Sequence, residues 1–315
     1  MMKRLIMNAD EPGGIGTSET ERPQPLPHQS LVKVTAFSLN RGEVNFAQSS
    51  NAKGRTIGWD YVGTIDTPAA DGQGPQPDTR VVGWRPQMDA FAEYVIGDRE
   101  YLAVIPDGVS DAQAATLPVA GLTALAAVDK GDRILGHSVL ITGVTGGVGF
   151  FALQLAKLSG AKAVAQVRRP EQVSLARDLG ADAVVVTADG QGLEAEGPYR
   201  LIVDGVGGDL IGSLLPVTAK GGTLVSYGGS QSSETPLNLA DLYGNGGQRR
   251  LYGLTLYSEV EVEPSSVGLS RLLRLVESDR LQVPAITTAD WSETSRLASD
   301  LLARRFSGKA VLTID

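Results

Sequence analysis

The sequence predicts an α/β protein of two domains, one built from short β-strands and the other from a doubly wound parallel sheet. Residues 1–113 contain short apolar or alternating segments between Gly- and Pro-rich turns, a pattern typical of a barrel or sandwich. From residue 138 onward, strand-like and helix-like segments alternate, as in a parallel sheet covered by helices. A glycine-rich turn joins the first strand and helix of that alternation. The length of 315 residues is enough for about two domains with cores of their own.

The elements follow from the hydrophobic periodicity in chain order. In the N-terminal part we predict strands over residues 3–7, 31–37, 58–65, 80–84 and 91–96, with loops over 12–30 and 40–46. A capping box at Ser110 and Gln113 opens a helix that Pro118 interrupts and residues 120–128 continue. Further strands are predicted over 138–142, 162–167, 183–187, 199–204, 222–227, 251–256 and 310–314. Further helices are predicted over 148–158, 171–179, 209–216, 267–276 and 291–306.

The domain boundaries are placed where this character changes. The helical segments that lead into the alternating strands and helices begin near residue 113, and the last 35 or so residues are expected to return to the first domain. We therefore predict a first domain of residues 1–113 and 279–315 and a second domain of residues 114–278.

The turn after residue 142 predicts a dinucleotide site. Glycines at this place let the backbone approach a pyrophosphate, and the free amides of the following helix face the anion. Val144 stands where the first glycine of the G-x-G-x-x-G pattern would fall, so the match is incomplete. We expect contacts from Thr145, Gly146, Gly147 and Val148.

The charge after the second strand of this unit predicts NADPH. A site that prefers NAD places a carboxylate about 20 residues beyond the turn, on the ribose 2′-hydroxyl. Here Arg168 and Arg169 occupy that place, and no carboxylate lies between the glycine turn and Glu171. Guanidinium groups can pair with a 2′-phosphate, so we expect both arginines to bind it; two solvated surface arginines are the alternative.

Strand ends supply the remaining contacts to the coenzyme. The C-terminal ends of neighbouring parallel strands meet at one edge of the sheet, where ligands bind. Gly205 and Val206 follow one predicted strand, and Tyr227 and Gly228 lie at the end of the next. We expect these four residues to line the coenzyme, with Gly205 and Val206 on its adenine or ribose side.

Three polar residues outside that edge complete the candidate site. Asn40 could donate a hydrogen bond to a substrate carbonyl or the nicotinamide ribose, or it could stabilise a turn. Thr123 could meet the nicotinamide or a phosphate, or bond its own helix. Lys309 could lie near the coenzyme or at the surface. Asn40 and Thr123 are the candidate catalytic residues, and all three are candidate coenzyme contacts.

Composition excludes several classes of protein. The formal net charge of −8 argues against a nucleic-acid binder. No run approaches the 18 apolar residues of a membrane span, and no secretory signal is evident, so we expect no membrane partner and a cytoplasmic location. A catalytic zinc needs about three protein ligands, but the chain has no cysteine and only His28 and His137. We therefore expect no metal site.

The chain resembles the zinc-free medium-chain dehydrogenase/reductase superfamily, in its quinone oxidoreductase (zeta-crystallin-like) branch. The resemblance covers nearly the whole chain and is carried by Leu39 and Asn40 with Glu43, by Gly58, Trp59 and Asp60 with Gly63, and by the segments 117–123, 139–149, 179–182, 203–208 and 308–312. It implies a GroES-like β-barrel catalytic domain and a Rossmann domain. It also implies NADPH-dependent reduction of quinones or α,β-unsaturated carbonyl compounds in a cleft between the domains, and a homodimer formed through residues 251–257.

The chemistry of the residues fits such a reduction. Without a Lewis acid or an evident histidine base, oxidation of a simple alcohol is difficult. Hydride addition to a quinone or to the C=C bond of an enone spreads the developing charge, so neutral hydrogen-bond donors can stabilise it. Two alternatives stay open: an NADPH-dependent carbonyl reductase, and a non-catalytic NADPH-binding sensor or scaffold.

Overall fold

The computed structural model describes residues 1–314, without the side chains of Ser50 and Asn245. The strands, in chain order, are β1 (Met2–Met7), β2 (Ile15–Thr20), β3 (Gln29–Ser38), β4 (Asp60–Thr67), β5 (Arg80–Trp84), β6 (Tyr94–Asp98), β7 (Leu102–Val104), β8 (Ser138–Thr142), β9 (Lys162–Val167), β10 (Ala183–Val186), β11 (Tyr199–Asp204), β12 (Thr218–Ser226), β13 (Arg250–Gly253), β14 (Ile286–Asp290) and β15 (Lys309–Thr313). The α-helices are α1 (Arg41–Ala47), α2 (Asp111–Ala115), α3 (Pro118–Asp129), α4 (Gly147–Leu158), α5 (Val173–Asp178), α6 (Asp209–Val217), α7 (Ala240–Tyr243), α8 (Leu256–Glu259), α9 (Ser265–Glu277) and α10 (Thr294–Leu302).

The chain forms two compact units. Unit 1 consists of Met1–Leu122 together with the chain from Val260 onward, and unit 2 is the continuous segment Thr123–Glu259.

Unit 2 is organised around a six-stranded sheet in which every pairing is parallel. The strand order is β10-β9-β8-β11-β12-β13, which is the doubly wound order of a dinucleotide-binding fold. Its central strands are apolar and buried on both faces because helices cover them, as Val139–Ile141 of β8 illustrate. The C-terminal ends of these parallel strands share one edge, which we call the C-terminal edge. The predicted parallel-sheet class is confirmed.

Unit 1 is organised around strand β3, which pairs with three other strands. The main sheet has the order β14-β15-β3-β4-β5-β7, and β6 pairs with the N-terminal half of β3. Strand β15, from the far end of the sequence, pairs antiparallel with residues 36–38 of β3. Strands β1 and β2 form a separate two-stranded sheet. The prediction of a β-rich unit in addition to the parallel sheet is thus confirmed.

Three local predictions are wrong. Residues 41–46 belong to helix α1 rather than to a loop, because the Glu43 side chain accepts a hydrogen bond from the backbone amide of the N-cap Asn40. The predicted loop 12–30 contains strand β2, whose residues 15–20 pair with all six residues of β1. The last parallel strand ends at Gly253 rather than residue 256, and helix α8 begins at Leu256.

No helix in the described part of the chain is long and apolar enough to cross a membrane.

Candidate functional site

The turn between β8 and α4 leaves the start of a helix open. Gly146 is the N-cap of α4 and provides no side-chain cap, so the first amides of this helix have no intrahelical partner. A Cβ at Gly146 would meet only the Gly143 carbonyl oxygen, at 3.4 Å, whereas one at Gly149 would approach that oxygen to 2.5 Å. Gly149 therefore allows the turn to pack on its own helix, and the exposed Gly146 leaves the helix start accessible to an anion.

Arg168 and Arg169 lie immediately after β9, on the same edge as the glycine turn. Their backbone amides donate to the Gln172 side chain, at 3.1 and 3.2 Å, which fixes the turn that displays them. Both residues are exposed, and Arg169 forms an ion pair with the equally exposed Glu171 at 3.2 Å. Because a solvent-exposed ion pair contributes little free energy, an incoming anion can replace Glu171.

The loops after β11 and β12 are held against each other at this edge. The Tyr227 amide donates to the Asp204 carbonyl at 3.0 Å, and a Cβ at Gly205 would lie 2.3 Å from the Tyr227 ring. Val206 is buried and Gly228 is exposed. The structure thus brings together the predicted residues Thr145, Gly146, Gly147, Val148, Arg168, Arg169, Gly205, Val206, Tyr227 and Gly228 at the C-terminal edge of one sheet.

These features fit a dinucleotide coenzyme. The open start of α4 suits a pyrophosphate, and the displayed arginines suit a second phosphate.

Unit 1 contains a second candidate, a buried polar cluster of Asn40, Glu43, Asp60 and Lys309. The Lys309 ammonium donates to the Leu39 carbonyl at 2.9 Å and to Asn40 Oδ1 at 2.5 Å, and it lies 3.6 Å from Asp60 Oδ2. The Asn40 amide nitrogen donates to Asp60 Oδ2 at 2.8 Å and to Glu43 Oε1 at 3.3 Å. The cluster therefore holds the Asn40 carboxamide in one orientation, with its nitrogen towards carboxylates and its oxygen towards the ammonium.

The two carboxyl groups of this cluster accept hydrogen bonds from different donors. Asp60 accepts hydrogen bonds from Ser38 Oγ at 2.7 Å and the Val119 amide at 3.0 Å, besides that from Asn40. Glu43 accepts hydrogen bonds from the backbone amide of Asn40 at 2.7 Å and from the backbone amide of Trp59 at 3.1 Å. Burial, reinforced by the nearby Asp60 carboxylate, raises the pKa of Glu43 to about 8. Burial also raises the pKa of Asp60, against the opposing effect of Lys309 and the hydrogen bonds.

The environments of these residues decide between several alternatives. Lys309 is 4% exposed, so the surface position considered for it is wrong. Both amide hydrogens of Asn40 are directed at carboxylates, and its role towards a substrate stays a prediction. Thr123 is buried on α3 and belongs to unit 2, whereas the buried polar cluster belongs to unit 1.

The described residues contain no group of three or more His, Asp or Glu side chains that could hold a metal ion. His28 and His137 are exposed.

Sequence reasoning missed the buried polar side chains beneath the C-terminal edge. Thr142 and Gln166 are buried at the ends of β8 and β9, where their side chains bond to neighbouring strand ends. A polar residue that closes an otherwise apolar strand is the signal that could have identified them.

Comparison with known proteins identifies relatives over the whole length. Residues 147–270 match the family model described as zinc-binding dehydrogenase. A quinone oxidoreductase of Pseudomonas aeruginosa is 29% identical over 241 residues, covering 71% of each chain. A mycocerosic acid synthase-like polyketide synthase of Mycobacterium tuberculosis is 29% identical over 328 residues, covering 96% of this chain. The chain spans between 8% and 15% of the length of the polyketide synthases it matches.

A solved structure agrees with these sequence relatives. The quinone oxidoreductase of Coxiella burnetii superposes with a TM-score of 0.83 and 26% identity, and the match covers 100% of this chain and 99% of that one. The strand order of unit 2, the glycine turn and these relatives agree. The chain is thus similar to quinone oxidoreductases of the medium-chain dehydrogenase/reductase superfamily.

Proposed function

We propose that this chain is a zinc-independent, NADPH-dependent oxidoreductase that reduces quinones or the activated C=C bonds of enones. The observation that carries the proposal is the C-terminal edge of unit 2, where an uncapped helix start and two displayed arginines provide for two phosphate groups.

Each part of this edge has a separate task. The first amides of α4 bind the pyrophosphate, and Arg168 and Arg169 bind the 2′-phosphate that distinguishes NADPH from NADH. Gly205, Val206, Tyr227 and Gly228 border the rest of the coenzyme. NADPH, when bound, supplies the hydride; the protein holds it in place and excludes water.

Replacement of both arginines by alanine tests the coenzyme assignment. Each hydrogen bond to a charged group contributes about 1.5–3 kcal/mol, and about 1.4 kcal/mol corresponds to a tenfold change in binding. We expect Arg168→Ala/Arg169→Ala to raise the KM for NADPH at least about tenfold. The KM for NADH should change little.

Arg177→Ala is the matched control, because Arg177 is an exposed arginine on the next helix, α5. It removes a positive charge from the same unit without touching the turn after β9. Equal losses for NADPH and NADH in the double variant, or an equal loss in the control, would contradict the 2′-phosphate assignment.

A panel of acceptors tests the reaction. Purified protein is mixed with NADPH and a series of quinones, enones and simple ketones, and NADPH oxidation is followed. Turnover of quinones or enones supports the proposal, whereas turnover of ketones with inert enones indicates a carbonyl reductase.

One observation favours a second candidate function, a non-catalytic NADPH-binding protein. Asn40, a candidate catalytic residue, already directs both amide hydrogens to Glu43 and Asp60 and its oxygen to Lys309. Tight NADPH binding without turnover of any acceptor would support this alternative.

The edge of the parallel sheet supports the homodimer as a further part of the proposal. β13 is the terminal strand, and its residue Leu251 and Tyr257 on the following helix α8 are each 43% exposed. An open strand edge with apolar side chains favours pairing with a second copy. Light scattering should give twice the mass of one chain, and Leu251→Glu should halve it.

A further inference from the structure

Beneath the C-terminal edge of unit 2, one buried carboxylate connects two turns that are far apart in the sequence. Asp204 ends β11 and is fully buried. Its Oδ1 accepts a hydrogen bond from Thr142 Oγ1 at 2.5 Å, and Thr142 is the last residue of β8, just before the glycine turn. Its Oδ2 accepts from the Gly207 amide at 3.0 Å, and Oδ1 also accepts from the Val206 amide at 3.3 Å.

The same carboxylate therefore fixes the conformation of the turn after β11. Gly207 and Gly208 both have positive φ angles, 71° and 61°, which a free chain adopts only as one of many conformations. The amides of Val206 and Gly207 converge on Asp204, which selects this conformation. The Val206 carbonyl accepts a hydrogen bond from the Gln231 amide at 2.8 Å, so the same turn also positions the loop after β12.

Gln166 makes a corresponding link on the other side of β8. Its Oε1 accepts from the Gly143 amide at 3.4 Å, and its Nε2 donates to the Thr187 carbonyl at 2.5 Å. Gly143 begins the glycine turn, and Thr187 follows β10. Together, Gln166, Thr142 and Asp204 form a buried polar bridge that crosses the ends of β10, β9, β8 and β11.

We propose that the bond between Thr142 and Asp204 is a positioning contact of the coenzyme site, which sets the turn after β8 and the turn after β11 at a fixed distance. This inference rests on the proposed function and adds residues that are buried beneath the C-terminal edge. A buried, hydrogen-bonded network of this kind is rigid. The site is therefore preformed, and little ordering is required when the coenzyme binds.

The test compares two isosteric substitutions of buried threonines in the same unit. Thr142→Val removes the bond to Asp204 and keeps the side-chain volume. Thr218→Val is the matched control: Thr218 is equally buried, and its hydroxyl donates one bond, to the Leu214 carbonyl at 2.9 Å. Thr218 begins β12 and so lies at the opposite edge of the sheet.

The dissociation constants of NADPH and NADH are measured by fluorescence titration, with urea unfolding of each variant as a measure of stability. We expect Thr142→Val to raise the dissociation constants of NADPH and NADH by the same factor, about fivefold to tenfold. A tenfold change corresponds to about 1.4 kcal/mol. Thr218→Val should leave both constants within about twofold, even where the urea midpoint falls equally. Asp204→Asn can still accept a hydrogen bond from the Gly207 amide. It should therefore raise both dissociation constants less than Asp204→Ala does.

The outcomes separate this inference from the proposed function. If the unmodified protein binds neither coenzyme, the proposed function fails. If it binds NADPH and Thr142→Val binds as tightly as Thr218→Val, the positioning inference fails and the proposed function stands. A loss confined to NADPH in Thr142→Val would also overturn the inference, because Thr142 and Asp204 lie on β8 and β11, whereas Arg168 and Arg169 follow β9.

Discussion

Replacing Lys309 by methionine should destabilise unit 1 by about 3–5 kcal/mol, because it removes one partner from a buried ion pair. Lys309 is 4% exposed and Asp60 is fully buried. Methionine fills most of the volume of the lysine stem, so the loss reports the missing ammonium rather than a cavity.

The magnitude follows from the contacts of the ammonium. At an effective dielectric constant of about 20, two unit charges at the Lys309–Asp60 separation of 3.6 Å attract by about 4–5 kcal/mol. The hydrogen bonds to the Leu39 carbonyl and Asn40 Oδ1 each add about 1.5–3 kcal/mol. Burying the ammonium has a desolvation cost, which the methionine variant avoids. This saving offsets part of the sum and leaves a net loss of about 3–5 kcal/mol.

Urea unfolding followed by tryptophan fluorescence measures the free energy of unfolding of unit 1, to which Lys309 belongs. All three tryptophans, Trp59, Trp84 and Trp291, belong to unit 1. Lys53→Met is the matched control, because Lys53 also belongs to unit 1 and forms an ion pair with Asp10, but both partners are exposed. It should cost less than about 1 kcal/mol.

A double variant decides whether the loss comes from an uncompensated carboxylate. In the Lys309→Met background, Asp60→Asn should restore at least about 2 kcal/mol, since it neutralises the stranded charge. Asn40, no longer held by Lys309, can turn its carboxamide to accept a bond from the new amide. If the double variant is no more stable than Lys309→Met, or if Lys309→Met costs as little as Lys53→Met, the charge argument is wrong.

Two further predictions concern proton binding and close packing. The folded state keeps a proton on Glu43 up to about pH 8, whereas the unfolded chain releases it above its ordinary pKa of about 4.5, so stability falls as pH rises through this window. The slope approaches about 1.4 kcal/mol per pH unit, and Glu43→Gln should remove it; equal slopes from about pH 5.5 to about pH 7.5 in urea unfolding would contradict the raised pKa. Gly149→Ala should destabilise unit 2 by about 1–3 kcal/mol because its Cβ would meet the Gly143 carbonyl at 2.5 Å, whereas Gly146→Ala should fold normally and weaken NADPH binding. Equal urea midpoints for the two variants, measured by circular dichroism, would refute this packing argument.

The parallel sheet could be predicted from the sequence because its signals are local. Strand β8 is a short apolar run, and α4 follows the glycine turn directly, so each element is recognisable within a few residues. Strand β2 was missed for the opposite reason. Its sequence, Ile15–Thr20, is mostly polar and becomes a strand only because it pairs with β1.

The candidate site divides in the same way. The glycine turn and Arg168 and Arg169 are neighbours in sequence or follow consecutive strands, so their common edge could be predicted. The buried polar cluster could not, since Lys309 and Asn40 are 269 residues apart and only the pairing of β15 with β3 brings them together. The domain boundaries at residues 113 and 279 stay a prediction.

The pairing of β15 with β3 also sets an order in which the protein can assemble during translation. β3 leaves the ribosome early, but its partner β15 is synthesised only after all of Thr123–Glu259. Unit 2, being continuous, can complete its core while this partner is still missing, and domains commonly fold as units in this manner. During that interval residues 36–38 of β3 expose unpaired backbone groups on one side, which are a template for association between nascent chains. Unit 1 is therefore begun before unit 2 and completed after it.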